Sequence, residues 1–297
     1  MEWQAGRVRR GIARPGKAGQ ASVRHGSGLG RLPDTYTIRR SRRWYVADET
    51  LSTVAFLTGL MLMDIAFFLR RRTEFIRYFY SESVKSFLEI QHRIEHALPP
   101  FDDPPYSEDS EPPFLEEWMN AAAGIEIVGQ SCVALLSDAL KIYFNTLQHR
   151  TIGFPFANEV GGSSCATDSI PKGSFVSKYK EVLAEILDTD WKESGIDFGV
   201  IEQVVLARNI TQHGKTLLSF HARHDPHTLR KYPNPVFATE WEVRAWQEAG
   251  AREDSFFAPS VSISRETLFS ATEQAEKLAD WIDGRMDKVS AWRMRTG

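Results

Sequence analysis

Between residues 114 and 149, Ile125, Val128, Cys132, Leu135, Leu136, Ala139 and Tyr143 recur at three- and four-residue steps. That spacing lines one face of a single long helix, and a long apolar face has to be covered by other elements. The neighbouring segments offer the same period. "SFVSKYKEVLAEILDTDW", opened by Ser174, sets Phe175, Tyr179, Val182, Leu183 and Ile186 on one side, and Asp197 stands ready to cap "FGVIEQVVLARNITQH". "SRETLFSATEQAEKLADWIDGRM" follows near the end, with Ser264 and Thr267 competing as its cap. Gly124 and Gly129 mark places where the long helix bends or another helix approaches closely. Strand alternation is weak everywhere, with at most a short hairpin between 215 and 262, and no internal repeat is present. The expected fold is all-α, an antiparallel helical bundle with an N-terminal helical extension.

The divisions follow from composition. Residues 1–45 hold eleven Lys or Arg against Glu2 and Asp34, a balance of +9, while the rest of the chain holds 25 basic against 37 acidic residues, a balance of -12. Residues 1–47, rich in Gly and Arg, therefore read as a disordered basic arm. Its function stays open between contact with nucleic acid or anionic lipid and a solvated tail or targeting sequence. Residues 48–98 form the helical extension, with a break expected near Ser81, where "SES" offers capping side chains. "PPFDDPPYSEDSEPP" at 99–113 is an exposed loop, and 114–297 make the main helical domain.

Within the extension, "LSTVAFLTGLMLMDIAFFL" at 51–69 approaches the length of a membrane span. Asp64 argues against that reading, because a carboxylate within a span costs about 2.5 to 3.5 kcal/mol. Basic residues on both flanks select no orientation, and the helical pattern continues through "TEFIRYFY". A buried bundle helix is the favoured reading. Two cysteines, Cys132 and Cys165, supply neither a disulfide framework nor a four-thiolate metal site. With no secretory signal at the start, a cytoplasmic protein is expected.

The chemistry concentrates in "VLARNITQHGKT", residues 205–216. At 100° per residue, Arg208 falls inside the stripe made by Ile201, Val204 and Val205, with Asn209 and His213 along its edge and Gly214 as a helix stop. A guanidinium so placed needs a carboxylate, a carbonyl cluster or an anion. One reading is structural, with Arg208 bonded to a core acid and His213 an ordinary partner of the helix C-terminus.

The other reading comes from a resemblance. Arg208, Asn209 and His213, on the penultimate major helix of an all-helical chain, resemble the motif of the HEPN superfamily: Arg, four to six residues, then His, with a polar residue usually directly after the Arg. "GIEIVGQSCVALLSDALKIYF" and "TLFSATEQAEKLADWI" are similar to the helices that flank the motif in that family, so the likeness covers residues 114–285. It implies a HEPN-like helical domain, often dimeric with two motifs facing, and in many members a metal-independent endoribonuclease of toxin–antitoxin or antiviral systems; other members bind without cutting. In that role Arg208 would grip phosphate and His213 would serve as base or acid, with Asn209 orienting the His or the substrate. The expected partners are an RNA substrate, a second copy and an antitoxin; no cofactor or metal is called for. Lys215 stands where the toxins paired with a nucleotidyltransferase antitoxin carry a tyrosine. Lys215, Arg223 and His224 are the candidates for RNA contact.

Two histidine clusters compete. His92 and His96 in "HRIEH" share a helix face at metal-ligand spacing but have no evident third ligand, and read as surface histidines. "HARHDPH", with His221, His224, Asp225 and His227, reads as a phosphate-binding or solvated loop rather than a zinc site.

Overall fold

The computed structural model describes residues 64–104, 111–154, 174–212, 222–251 and 258–296. The basic arm 1–47, the stretch 48–63, and residues 105–110, 155–173, 213–221, 252–257 and 297 lie outside the described residues. Among the described residues the chain is helical, with no strand and only an isolated bridge between Arg223 and Ser260. The helices are α1 Ile65–Ser83, α2 Lys85–Glu95, α3 Leu115–Thr146, α4 Phe175–Ile186, α5 Phe198–Gln212, α6 Pro226–Lys231, α7 Glu240–Glu248, α8 Arg265–Asp283 and α9 Met286–Thr296.

The spine is α3, about 48 Å long at 1.5 Å per residue. Its inner face buries Cys132, Val133, Leu136, Leu140 and Phe144. Leu135, expected on that face, is 43% exposed instead. Both glycines mark close approaches: a Cβ on Gly129 would stand 2.9 Å from Ile263, and one on Gly124 would stand 2.6 Å from the Phe87 ring. Beyond Thr146 the chain widens into a π turn, Leu147–Ile152, whose buried Gln148 accepts a 2.6 Å hydrogen bond from the Tyr179 hydroxyl. Tyr179 also stacks on Phe144, so α4 is fastened to α3 through one side chain. Leu115–Ile152 is, among the described residues, long and apolar enough to cross a membrane.

The part set apart in the sequence as an extension shares this core. Ala66, Leu69, Ile76 and Tyr80 of α1 and Val84 pack in the same cluster as the inner faces of α3, α5 and α8. Against α8 the seam is polar: Arg70 meets Asp280, Thr73 bonds to Glu276, and the Arg77 guanidinium reaches Glu276 at 2.8 Å and Thr272 at 3.1 Å. The order of those partners makes α1 and α8 antiparallel.

Capping explains most boundaries. Ser264 and Thr267 do not compete; they bond reciprocally as a capping box at the start of α8. Ser174 caps α4, and the Asp197 carboxylate accepts from Gly199 at 2.8 Å and Val200 at 3.2 Å at the start of α5. One expectation is corrected. The break in the extension falls at Val84 with no side-chain cap, because the Ser81 hydroxyl turns back to the Arg77 carbonyl at 2.8 Å. Helix α1 starts at Ile65, where Asp64 accepts the Phe67 N–H; residues 48–63 of the expected helical region lie outside the described residues.

Candidate functional site

Helix α5 places the site. Its start is pinned by the Asp197 N–H donating to Gln274 of α8 at 2.8 Å, and Val200, Ile201, Val204, Val205 and Ala207 are buried. This inner face continues to Arg208 in the last two turns, so the guanidinium emerges at the rim of the core instead of in open solvent. Its side chain is 22% exposed, and its Nε is buried without a hydrogen-bond partner. Nη1 donates to Asn209 Oδ1 at 3.3 Å. The nearest carboxylate, Asp138 of α3, stands 3.9 Å from Nη2, beyond hydrogen-bond reach.

Among the described residues the guanidinium is paired only loosely, with an acid at the surface. Asp138 is itself 51% exposed. The buried acid of the same helix, Glu202, is occupied elsewhere, accepting from Lys231 and from the Tyr232 hydroxyl at 2.9 Å. One of the five N–H donors of Arg208 is thus satisfied within the described residues. A planar cation with free donors at the edge of a core, next to an exposed amide, can accept an anion in a fork.

Of the other expected residues, Asn209 is exposed beside Arg208, while His213 and Lys215 lie outside the described residues. Arg223 is exposed at its bridge with Ser260. His224 is corrected: it is buried, its Nε2 bonding to the Phe237 carbonyl at 2.9 Å. Burial holds its pKa below the ordinary value, partly offset by that carbonyl and by Asp225 and Glu242. A neutral core imidazole has no surface to offer RNA.

The competing clusters resolve similarly. His92 and His96 are exposed, and His96 Nδ1 faces the His92 carbonyl at 2.9 Å. Asp225 caps α6, accepting from the Thr228 N–H and hydroxyl at 2.9 and 2.8 Å. Among the described residues no group of three potential ligands assembles. Cys132 is buried, and desolvation pushes its thiol up to about 12, as expected of an inert core cysteine.

Sequence reasoning missed Asp138 and the Glu202 cluster. The available signal was that Asp138 is the single acid between residues 127 and 147 of a mostly apolar helix. Comparison with family models, with curated proteins and with solved structures finds no match for the chain.

Proposed function

We propose that the chain is a metal-independent endoribonuclease of HEPN type, acting as a dimer with the two Arg208 sites facing one another, in a toxin or antiviral role. The observation that supports the reading is the under-partnered Arg208 guanidinium, carried at the rim of the core by the helix that leads directly to His213. RNA cleavage by its own 2'-hydroxyl requires removal of that proton, formation of a bond from the 2'-oxygen to phosphorus, and protonation of the departing 5'-oxygen. Two histidines, one from each protomer, would supply base and acid, since an imidazole titrates near the working pH. Arg208 would hold the non-bridging oxygens as negative charge builds on phosphorus. Asn209, already bonded to Arg208, would fix the orientation of the guanidinium. The products would be a 2',3'-cyclic phosphate and a 5'-hydroxyl.

The same guanidinium also suits a second reading, in which the domain binds RNA, a nucleotide or a partner's phosphate without cleaving. Incubation of the purified chain with mixed tRNA and mRNA in EDTA, beside His213→Ala, separates the two. Cleavage by the parent alone, with cyclic phosphate ends, supports the ribonuclease. Folded protein that retains RNA on a filter and leaves it intact supports binding alone. Equal cleavage by both proteins removes His213 from the mechanism.

A further inference from the structure

Asp138 of α3 stands between two cations. Its Oδ1 lies 3.9 Å from Arg208 Nη2 of α5 and 4.0 Å from Nζ of Lys141, one turn further along α3. Guanidinium and ammonium therefore face the same oxygen, and neither is within hydrogen-bond reach of it. The two cationic nitrogens can be no farther apart than these two distances laid end to end, which places Lys141 beside Arg208.

Lys141 differs from the other lysines paired along their own helices. Lys85 closes on Glu82 at 2.7 Å and Lys277 on Glu273 at 3.0 Å, although both are more exposed, at 65% and 45% of the side chain against 33% for Lys141. Lys85 has the same three-residue spacing from its acid, so spacing does not keep Lys141 from closing. A sheltered ammonium that stands off from its neighbouring acid keeps its donors for another acceptor. Two positive charges against one also leave this juncture cationic, in a body whose balance is -12.

The buried side of the juncture is uncommitted as well. On the helical wheel Lys141 falls between Ser137 and Asp138, so all three share the edge of α3 that meets Arg208. The Ser137 hydroxyl and Arg208 Nε are both buried with no hydrogen-bond partner among the described residues. Unsatisfied buried polar atoms are uncommon in a folded chain, and two of them fall where α3 meets α5.

A pair of cations so arranged suits a phosphate group. The Asp138 carboxylate is tethered to α3 and reaches neither cation, whereas a phosphate free to settle offers an oxygen to each at a charge-assisted distance of about 2.7 to 2.9 Å. The planar fork of Arg208 fixes the position, and Lys141, a point charge, adds attraction from the second helix without holding the group alone. We propose, building on the reading of Arg208 as an anion site, that Lys141 is its second cation: one phosphate group is held from α5 by Arg208 and from α3 by Lys141, and displaces Asp138 from between them.

Calorimetric titration of the full chain with inorganic phosphate at low ionic strength tests this separately from cleavage. Lys141→Gln should weaken phosphate binding about tenfold. Lys141→Arg should retain most of it because the charge is kept, Arg208→Ala should abolish it, and Lys288→Gln, at an exposed site on α9, should leave it unchanged. Urea unfolding of Lys141→Gln should match the parent, since the pair it breaks is loose. A 2'-O-methylated RNA oligonucleotide, which lacks the attacking hydroxyl, is titrated in parallel: the same loss with Lys141→Gln assigns the group to the RNA backbone, and a loss for inorganic phosphate alone assigns it to a free or terminal phosphate. Phosphate binding that is abolished by Arg208→Ala and untouched by Lys141→Gln would overturn the role of Lys141 and leave the Arg208 site standing. An equal loss with Lys288→Gln would reduce the effect to overall charge and overturn the proposal too. No phosphate binding by the parent, or binding indifferent to Arg208, would remove the anion site itself and the proposal with it.

Discussion

Helix α5 carries two ionised groups toward the core, six residues apart, and surrounds them in opposite ways. Glu202 is buried and fully engaged: Lys231 and the Tyr232 hydroxyl both point at its carboxylate, while the adjacent Gln203 accepts the Val236 N–H at 2.8 Å. Burial, and then the bond to Glu202, raise the Tyr232 pKa, so this hydroxyl stays a donor throughout the ordinary pH range. Arg208 has one hydrogen bond, a distant carboxylate and a buried Nε with nothing to donate to. The first charge has brought its own partners with it and fastens residues 226–237 to α5. The second is held at the rim with its donors uncommitted, a cost to the fold that a ligand anion would offset.

The largest effect should separate the two by activity. Arg208→Ala is expected to lower RNA cleavage about 100- to 1,000-fold, the range for removing a donor to developing phosphate charge. Its unfolding free energy should shift by less than about 1 kcal/mol, since few interactions are lost. If urea denaturation instead shows a large loss of stability with cleavage rates intact, Arg208 belongs to the architecture and the contrast with Glu202 disappears.

Glu202→Ala should behave in the reverse sense. Removing the acid strands a half-buried hydroxyl and a half-exposed ammonium, and charged hydrogen bonds of this kind contribute about 1.5 to 3 kcal/mol. A loss of about 2 to 3 kcal/mol in urea denaturation is expected, the exposure of Lys231 keeping it below the cost of breaking a fully buried pair. Cleavage measured well below the unfolding midpoint should change little.

Much of this was legible from residue order, and the parts that were not share a cause. Helix periods and caps are local, so Ser174, Asp197 and Ser264 announced α4, α5 and α8 within a few residues. The stripe placement of Arg208 was local too. Its surroundings were not: Asp138 lies 70 residues earlier on another helix, and the partners of Glu202 lie 29 and 30 residues later. His224 sits among His, Arg and Asp and looked like a solvated loop, yet a carbonyl 13 residues away draws it inward. Asp64 was read as an objection to a membrane span; that it caps the helix beginning at Ile65 depends on a side-chain bond that hydropathy does not record.

His224 extends the contrast to histidine. A buried imidazole with a lowered pKa is neutral in the folded chain and charges more readily when unfolded. The unfolded state therefore binds more protons below its pKa of about 6.5, and stability is full above that value and declines as pH falls toward the folded pKa. The limiting slope is about 1.4 kcal/mol per pH unit. Unfolding curves for the parent and His224→Gln should run parallel above neutrality and approach one another from about pH 6.5 downward. Curves parallel across the acid range would mean that folding leaves the His224 pKa unshifted. Asp225, whose carboxyl is pushed up by burial but held down on balance by the Thr228 bonds together with the His227 N–H and charge, acts in the same direction at lower pH.

The smallest effect falls on Asp138, and it asks how free Arg208 is. A carboxylate 3.9 Å from Nη2 and half exposed contributes little by attraction, so Asp138→Asn should leave stability within about 0.5 kcal/mol of the parent. It also stands where it competes with any anion for the guanidinium. Removing its charge should tighten inorganic phosphate binding a few-fold at low salt, and the gain should shrink as ionic strength rises. In the Arg208→Ala background the same substitution should do nothing to phosphate affinity, because the cation that Asp138 competes for is gone. A gain that persists without Arg208 would place the anion on another cation and detach Asp138 from the site.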